Sequence, residues 1–338
     1  MARKAGYFHH SFAATLQLSM KPSPEFHLEK AKCHWDRGQP REAISHLNKG
    51  LELVSLDPKP KDSQEGQPPE TRQKMNLLLG LWLEHTSQTE PQVIISKFTE
   101  ATKIKKTEEA YVHLGRFYNK LWEVQDKSQS EDSGSSSVNG GGKDGSKTPS
   151  RSTTTTTSSS SPGSNNTAND YLYHSLVNYK LALEYGSEHV YHTMPKLLTL
   201  WLNFTEKIGP EKTQKPKSGG PSPLPAQDDR AHDIKKLMDE AIARLPASKF
   251  LAAFSQIISR VCHKHQPTRN QLEQIVLKVL QEYPPQALWQ LIALKNAGDR
   301  SRTAAFDSIQ SKVKGTRAQD ADRELCSVLR RAPEDLCL

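Results

Sequence analysis

At residues 249–265 the chain reads KFLAAFSQIISRVCHKH. The bulky apolar side chains of this stretch are Phe250, Phe254, Ile257, Ile258 and Val261. They recur in steps of four, three, one and three, which places them on a single stripe of an α-helix. The polar positions fall on the other side of that helix: Ser255, Gln256, Ser259, Arg260, His263 and Lys264. Because the stripe holds no catalytic group, we predict one amphipathic helix whose apolar face belongs to a hydrophobic core.

The same spacing recurs on both sides of this stretch and groups the chain into pairs of helices. In the clearest pair, Gly38 ends one helix because glycine tolerates the left-handed C-terminal conformation, and Pro40 begins the next helix. Gly6 and Gly38 are 32 residues apart, close to the period of about 34 residues in helical-hairpin repeats. We find no convincing strand pattern. The sequence therefore predicts an all-α fold, an α-solenoid of tetratricopeptide- or HEAT-like helical hairpins interrupted by disordered loops.

Two polar tracts divide the predicted repeats. Residues 126–169 are rich in Ser, Thr, Gly and Asn, and residues 209–229 are rich in proline. Neither tract has enough apolar surface to offset the entropy lost on ordering, so we predict that both are disordered. The resulting organisation is a set of helical repeats at 1–125, a disordered insertion at 126–169, a helical repeat at 170–208, a disordered linker at 209–229, and further helical repeats at 230–338.

Charge and cysteine content limit the class of protein. The net charge of +8 would allow a nucleic-acid or acidic partner, but Lys and Arg are scattered at helix-surface spacing. We therefore favour solvated helix faces over direct nucleic-acid binding. The four cysteines form no CxxC pair, which favours a reducing compartment without disulfides. No apolar stretch approaches the 18 residues of a membrane span, and we expect no membrane partner.

Three motifs suggest chemistry, and none has the context that the chemistry needs. Cys262, His263 and His265 could bind zinc, but no second Cys/His cluster lies at zinc-finger spacing. The run GGGKDGSKT at 140–148 lacks the Gly-Lys-Ser/Thr order of a phosphate loop, and it lies in a tract predicted to be disordered. Gly298-Asp299-Arg300 resembles part of a lipid-kinase-like catalytic loop, but the His and Asn of that loop are missing, so we predict a surface turn. We assign no catalytic, cofactor-binding or metal-binding residue.

Serine or threonine followed by glutamine occurs at five places, three of them in predicted linkers that a kinase could reach. These three are candidate phosphorylation sites: Ser63, Ser128 and Thr213. Added phosphate charge there could create a site for a partner. The alternative is chance, because a two-residue motif is common.

Three phrases, taken in order, resemble the FAT region of ATR-type serine/threonine kinases, a branch of the phosphatidylinositol-3-kinase-related family. They are YHTMPKLLTLWL at 191–202, FLAAFSQIISRVCHKH at 250–265 and YPPQALW at 283–289. We assign their characteristic residues to the core of the repeats: Met194, Pro195, Leu198, Trp201, Phe250, Phe254, Ile258, Tyr283 and Trp289. The polar tracts look longer here than in the family pattern.

The resemblance implies a scaffold that wraps a kinase domain further along a longer polypeptide. It also implies nuclear localisation, a role in DNA-damage and replication-stress checkpoint signalling, and two partners: the protein's own kinase domain and an ATRIP-like obligate subunit. ATP and Mg²⁺ would belong to the parent kinase, and we carry neither over to a residue of this chain. Enzyme activity of the chain itself stays open. We interpret the chain as a fragment of such a kinase. The alternative is a free-standing helical-repeat adaptor that binds proteins. A Gly-Asp-Arg-His loop further downstream would support the fragment interpretation.

Overall fold

The computed structural model describes residues 23–56, 69–134 except Gln88, 164–208, and 226–315 except Ala297. Every regular element in these ranges is an α-helix, which confirms the predicted all-α solenoid class. The helices are α1 (Pro24–Asp36), α2 (Pro40–Leu56), α3 (Pro69–Thr86), α4 (Pro91–Ile104), α5 (Glu108–Gly134), α6 (Ser164–Tyr185), α7 (Val190–Ile208), α8 (Ala226–Arg244), α9 (Ala247–Leu251), α10 (Phe254–Ser259), α11 (Gln266–Glu282), α12 (Pro284–Lys295) and α13 (Arg300–Gly315). None of them is long and apolar enough to cross a membrane, as far as the described ranges go.

The chain divides into two compact units, Met1–Leu114 with Asn178–Thr193 and Gly115–Val177 with Met194–Leu338. In the first unit, α1 pairs with α2 and α3 pairs with α4. The first hairpin begins where Ser23 caps α1 by accepting the Phe26 N–H at 3.2 Å. It turns at Gly38, whose φ of +73° is the left-handed conformation predicted from the sequence. One core then joins the hairpins: Leu28, Ala31, Ala43, Leu47, Met75, Leu79 and Trp82.

Two glycines let the helices of this unit approach closely. A Cβ on Gly50 of α2 would lie 2.0 Å from Met75 Cε of α3. A Cβ on Gly80 of α3 would lie 2.7 Å from the ring of Phe98 in α4. Met75 Cε is the end of a flexible side chain and can move aside, whereas the Phe98 ring is rigid and buried, so the close approach of α3 and α4 depends on the absence of a side chain at Gly80.

A buried carboxylate caps α7 in the same unit. Glu108, at the start of α5, accepts the backbone N–H of Glu188 at 2.9 Å and that of His189 at 2.8 Å. These are donors at the N-terminal end of α7, where helical amides have no partner within the helix and negative charge is favourable. Thr193, which as a threonine could also cap a helix, is instead buried inside α7, because the helix already begins at Val190.

In the second unit, side chains of α11 bind the backbone of α8. Lys278 Nζ donates to the carbonyls of Ile242 at 2.7 Å and Leu245 at 2.6 Å, at the C-terminal end of α8. A cation at a helix C-terminus satisfies free carbonyls and the helix dipole together. Two turns earlier in α11, Gln271 Nε2 donates to Lys235 O at 3.0 Å. These contacts fix the register of the two helices.

The stretch at 249–265 is not the single helix that we predicted. It forms α9 and α10, separated by a turn at Ala252 and Ala253 in which the Ala253 N–H bonds to Phe250 O at 3.1 Å. The α-helical ladder resumes at Phe254 and ends at Ser259. The apolar stripe is nevertheless buried throughout: Phe250, Phe254, Ile257, Ile258 and Val261. Core burial was predicted correctly, and helix continuity was not.

Helices extend into both polar tracts. Helix α5 continues to Gly134, beyond the predicted boundary at 126, and α6 begins at Ser164, before 169. Helix α8 begins at Ala226, inside the tract predicted at 209–229. Lys, Gln and Glu of the 123–131 region are good helix formers, so a helix propagates past its last packed turn. The parts of the tracts at 135–163 and 209–225 lie outside the described residues.

Candidate interaction site

The first two family phrases meet in the second unit, where α7 and α10 exchange hydrogen bonds. Gln256 Nε2 of α10 donates to Thr199 Oγ1 of α7 at 2.8 Å and to Pro195 O at 3.3 Å. Thr199 Oγ1 in turn donates to Pro195 O at 2.8 Å. The sequence pattern had placed Gln256 on a solvent face. It is instead half-buried and links the two phrases.

Pro195 lies inside α7, one turn past its start. A proline there has no N–H for the helical ladder. Its carbonyl, by contrast, accepts from both Thr199 and Gln256. The proline of the family phrase thus lies half-buried at the contact between the two helices.

Bulky apolar residues of the same two phrases are buried. In α7, Met194, Leu198 and Trp201 are each fully buried. In the stretch at 250–258, Phe250 and Phe254 are also fully buried, and Ile258 retains 8% exposure. The structure therefore places six of the nine phrase residues in the core.

His263 is a second polar residue of this stretch that the sequence pattern placed wrongly. We predicted it on the exposed face, but it is 5% exposed. Its Nδ1 accepts the His265 N–H at 3.1 Å, and its Nε2 lies 3.4 Å from Thr205 Oγ1 of α7. An Nδ1 that accepts implies the neutral tautomer with hydrogen on Nε2. Burial lowers the pKa of this imidazole, which agrees with a neutral ring at physiological pH.

Two arginines hold the chain around this histidine. Arg269 of α11 donates through Nε and Nη2 to His263 O at 3.1 and 3.0 Å. Arg260 forms an ion pair with Glu206 at the far end of α7, where both side chains are about half exposed. The first contact fixes the turn that leads into α11. The second is at the surface and contributes little to stability.

The third phrase makes the junction between α11 and α12. Tyr283 is half-buried, and its N–H bonds to Val279 O at 2.8 Å while its carbonyl accepts the Ala287 N–H at 3.1 Å. Trp289 is a correction: we assigned it to the core, yet it is 67% exposed. The packed face of α12 is Ala287, Leu288, Leu291 and Leu294. Position 289 is rotated by about 100° from 288 and so points away from that face.

The Gly298-Asp299-Arg300 motif forms the surface turn that the sequence predicts. Asp299 caps α13 by accepting the Ser301 N–H at 2.9 Å, and Gly298 has a φ of +68°, as expected for a surface turn. No cluster of three or more His, Cys, Asp or Glu suited to a metal occurs in the described ranges. Residues 140–148 lie outside those ranges.

Of the three phosphorylation candidates, Ser63 and Thr213 lie outside the described residues. Ser128 is exposed, as predicted, but it lies in α5 and not in a linker. Its hydroxyl donates to Gln125 O at 2.8 Å, a hydrogen bond within the helix.

Sequence reasoning missed two groups that organise these contacts, Glu108 and Gln256. Both are polar residues that look like ordinary surface positions of a helix. Their partners lie about 80 and 60 residues away in the chain, so no local signal identifies them.

Comparison with known families agrees with this arrangement of phrases. Residues 1–199 match the family model of the FAT domain. Residues 233–329 match the model described as HEAT repeats of serine/threonine-protein kinase ATR-like proteins. The first phrase lies within or at the edge of the FAT match, and the other two lie within the HEAT match.

Curated relatives include the serine/threonine-protein kinase ATR of Arabidopsis thaliana, which is 26% identical over 347 residues. Protein kinase rad3 of Schizosaccharomyces pombe is 28% identical over 326 residues. These matches cover 96% and 91% of this chain but only 12% of each relative. Among solved structures, the FAT and kinase domain of CtTel1 matches with a TM-score of 0.61 at 14% identity, over 94% of this chain and 22% of that one. At this identity the structural match establishes the fold alone.

Proposed function

Because this chain belongs to the FAT-domain family, in the branch of ATR-like kinases, we propose that it is a scaffold and regulatory segment of such a kinase. Its role would be to stack helical hairpins against one another and to present extended surfaces to the kinase domain and to a partner subunit. The chain spans 12% of the relatives that it matches, so the catalytic activity of the parent is a property proposed for the longer protein.

One observation carries the proposal. The polar residues that distinguish the family phrases face one another across α7 and α10, through Gln256, Thr199 and the carbonyl of Pro195. Generic helical repeats need only an apolar stripe to stack. A specific polar contact inside the stack supports a scaffold with one defined geometry, as a surface that positions a kinase domain requires.

Trp289 is the residue that we propose for contact with the kinase domain. It belongs to a family phrase, yet 67% of it is exposed, and tryptophan is enriched among the residues that dominate protein interfaces. A purely structural residue of this size would be expected in the core.

The test is capture of the kinase-domain polypeptide of the same parent by the tagged chain, compared with Trp289→Ala. We expect the substitution to weaken capture at least about tenfold, as for an interface residue worth about 1.4 kcal/mol or more. Tyr191→Ala is the matched control, since Tyr191 is a 73% exposed aromatic residue of another phrase. Equal capture by the wild-type chain and the Trp289 variant would remove Trp289 from the interface, and no capture at all would favour a free-standing adaptor.

We further propose that the parent kinase acts in the nucleus, in the DNA-damage and replication-stress checkpoint, with an ATRIP-like subunit as its obligate partner. The names of the ATR relatives suggest the checkpoint role, and the nuclear location and the ATRIP-like subunit rest on the resemblance to ATR-type kinases alone. Two measurements test it: co-purification of an ATRIP-like protein with the full-length kinase, and the location of a fluorescent fusion before and after replication arrest. A fusion excluded from the nucleus under both conditions would contradict the proposal.

A further inference from the structure

Helix α12 presents an uncharged strip of side chains to solvent, and Trp289 lies in the middle of it. The exposed positions of this helix and its C-terminal cap are Pro285, Gln286, Trp289, Ala293 and Asn296. At 100° per residue they fall within an arc of about 100° around the helix, and none of them carries a charge. We call these five positions the Trp289 strip. Gln290 and Ile292, which flank the strip on α12, are half-buried and uncharged as well.

Two other helices of this unit, α8 and α13, expose charged side chains instead. Their exposed positions include Lys235, Lys236, Asp239, Arg244, Arg300, Arg302 and Asp307. Charged and polar residues are what the solvent face of a helix normally carries. At the core of a protein interface, by contrast, charged residues are depleted and aromatic residues are enriched. The Trp289 strip therefore has the composition of an interface core.

The chemistry of the Trp289 strip selects its occupant. A carboxylate or an ammonium group placed against Trp289 would lose water without gaining a counter-charge, which is unfavourable. A nucleic acid would find no cation on the strip for its phosphates. Ala293 follows Trp289 by four residues, so a small side chain lies beside a large ring on the same face. An uncharged helix face fits this relief, because one of its side chains can fill the depression at Ala293.

The size of the strip indicates how the occupant is held. Helix α12 has 12 residues and is about 18 Å long, so a contact along it covers less than the about 800 Å² per partner of a stable independent complex. A contact this small is favourable when both surfaces belong to one polypeptide, since their effective concentration is then high. The chain spans only 12% of the relatives that it matches. An occupant from the same, longer polypeptide therefore fits better than a separate protein.

We propose that the Trp289 strip docks against an uncharged helix face of the kinase domain within the same polypeptide. The contact rests on the proposed function and deepens it, because it extends the surface from Trp289 to Gln286 and Ala293 and defines its chemistry as apolar. Salt shortens the range of electrostatic attraction from about 10 Å at about 0.1 M to about 3 Å at about 1 M. An apolar contact does not weaken in this way.

The experiment is hydroxyl-radical footprinting with mass spectrometry, on this chain alone and on the full-length parent kinase. Trp289 is 67% exposed in the chain, and a residue at the centre of an interface is desolvated, so its oxidation should be about tenfold slower in the parent. Tyr191, which is 73% exposed, is the internal control, and its oxidation rate should not change. The protection of Trp289 should persist at about 1 M NaCl.

A charge placed in the strip provides the matched variants. Ala293→Glu in the parent kinase should restore fast oxidation of Trp289, because the carboxylate would face the uncharged partner surface. Ser311→Glu adds the same charge at an exposed position of α13 and should leave the protection intact.

Several outcomes would overturn the docking of the strip. They are equal oxidation of Trp289 in the chain and in the parent, equal slowing at Tyr191, loss of protection at high salt, and protection that survives Ala293→Glu. Protection that grows with the concentration of the isolated chain would assign the strip to a second copy. Capture of the kinase domain together with an unprotected Trp289 would refute the strip alone, whereas absence of capture would refute the proposed function itself.

Discussion

Replacing Glu108 by alanine tests whether one carboxylate holds the N-terminal end of α7. The substitution removes the acceptor of two backbone N–H groups, those of Glu188 and His189, at 2.9 and 2.8 Å. A hydrogen bond to a charged group contributes about 1.5–3 kcal/mol. Glu188 is exposed, so water can reach this end of the helix, and the lower limit applies. Two bonds at that limit give a loss of about 3 kcal/mol in the free energy of unfolding.

The assay is urea unfolding followed by circular dichroism, with hydrogen exchange of the α7 amides to localise the change. Glu108→Gln retains one acceptor oxygen and should lose about half as much as Glu108→Ala. The matched control is Glu109→Ala, an exposed position in the same first turn of α5, for which we expect a change within about 0.5 kcal/mol.

Two results would refute this reasoning. Equal losses for the Glu108 and Glu109 alanine variants would show that only the charge at the start of α5 matters. An unchanged exchange rate at Glu188 and His189 in Glu108→Ala would show that neither amide depends on the carboxylate.

The remaining predictions concern the core, the link between the phrases and pH. Phe254→Ala should lower the free energy of unfolding by about 3–5 kcal/mol, since Phe254 is 1% exposed. Trp289→Ala should change it by no more than about 0.5 kcal/mol, because Trp289 is exposed. Thermal melts of both variants check these expectations. Gln256→Leu should lower the free energy of unfolding by about 1–2 kcal/mol, because Thr199 Oγ1 and Pro195 O lose their common donor. An unchanged urea midpoint would contradict this prediction. Burial and the positive charge of Lys30 lower the pKa of His46 in α2 to about 4 in the folded chain. As the pH decreases, His46 therefore binds a proton in the unfolded chain before it does so in the folded chain. The free energy of unfolding should consequently fall between pH 6.5 and pH 4. His46→Gln should reduce the slope of that part of the pH profile of the urea midpoint, to which His263, whose pKa burial also lowers, still contributes, and an identical profile would contradict the assignment.

Some features were determined by the sequence because they depend only on neighbours along the helix. Apolar positions three and four residues apart give a buried stripe whatever the partner is, so the predicted burial of Phe250, Phe254 and Ile257 is correct. The left-handed conformation at Gly38 follows from a local steric rule and was also predicted correctly. The order of the three phrases was enough to recognise the family.

Other features were decided only by the tertiary structure, because the groups involved meet across long separations in the chain. Glu108, Gln256 and His263 each have a partner that lies more than 50 residues away in the chain, so burial and hydrogen bonding at these polar residues leave no periodic signal. The same holds for Trp289, whose aromatic character suggests core, while the packing of α12 through Leu288 and its neighbours turns it outwards. Apolar periodicity identifies the faces of helices. Which polar atoms then satisfy one another depends on which helices the fold brings together.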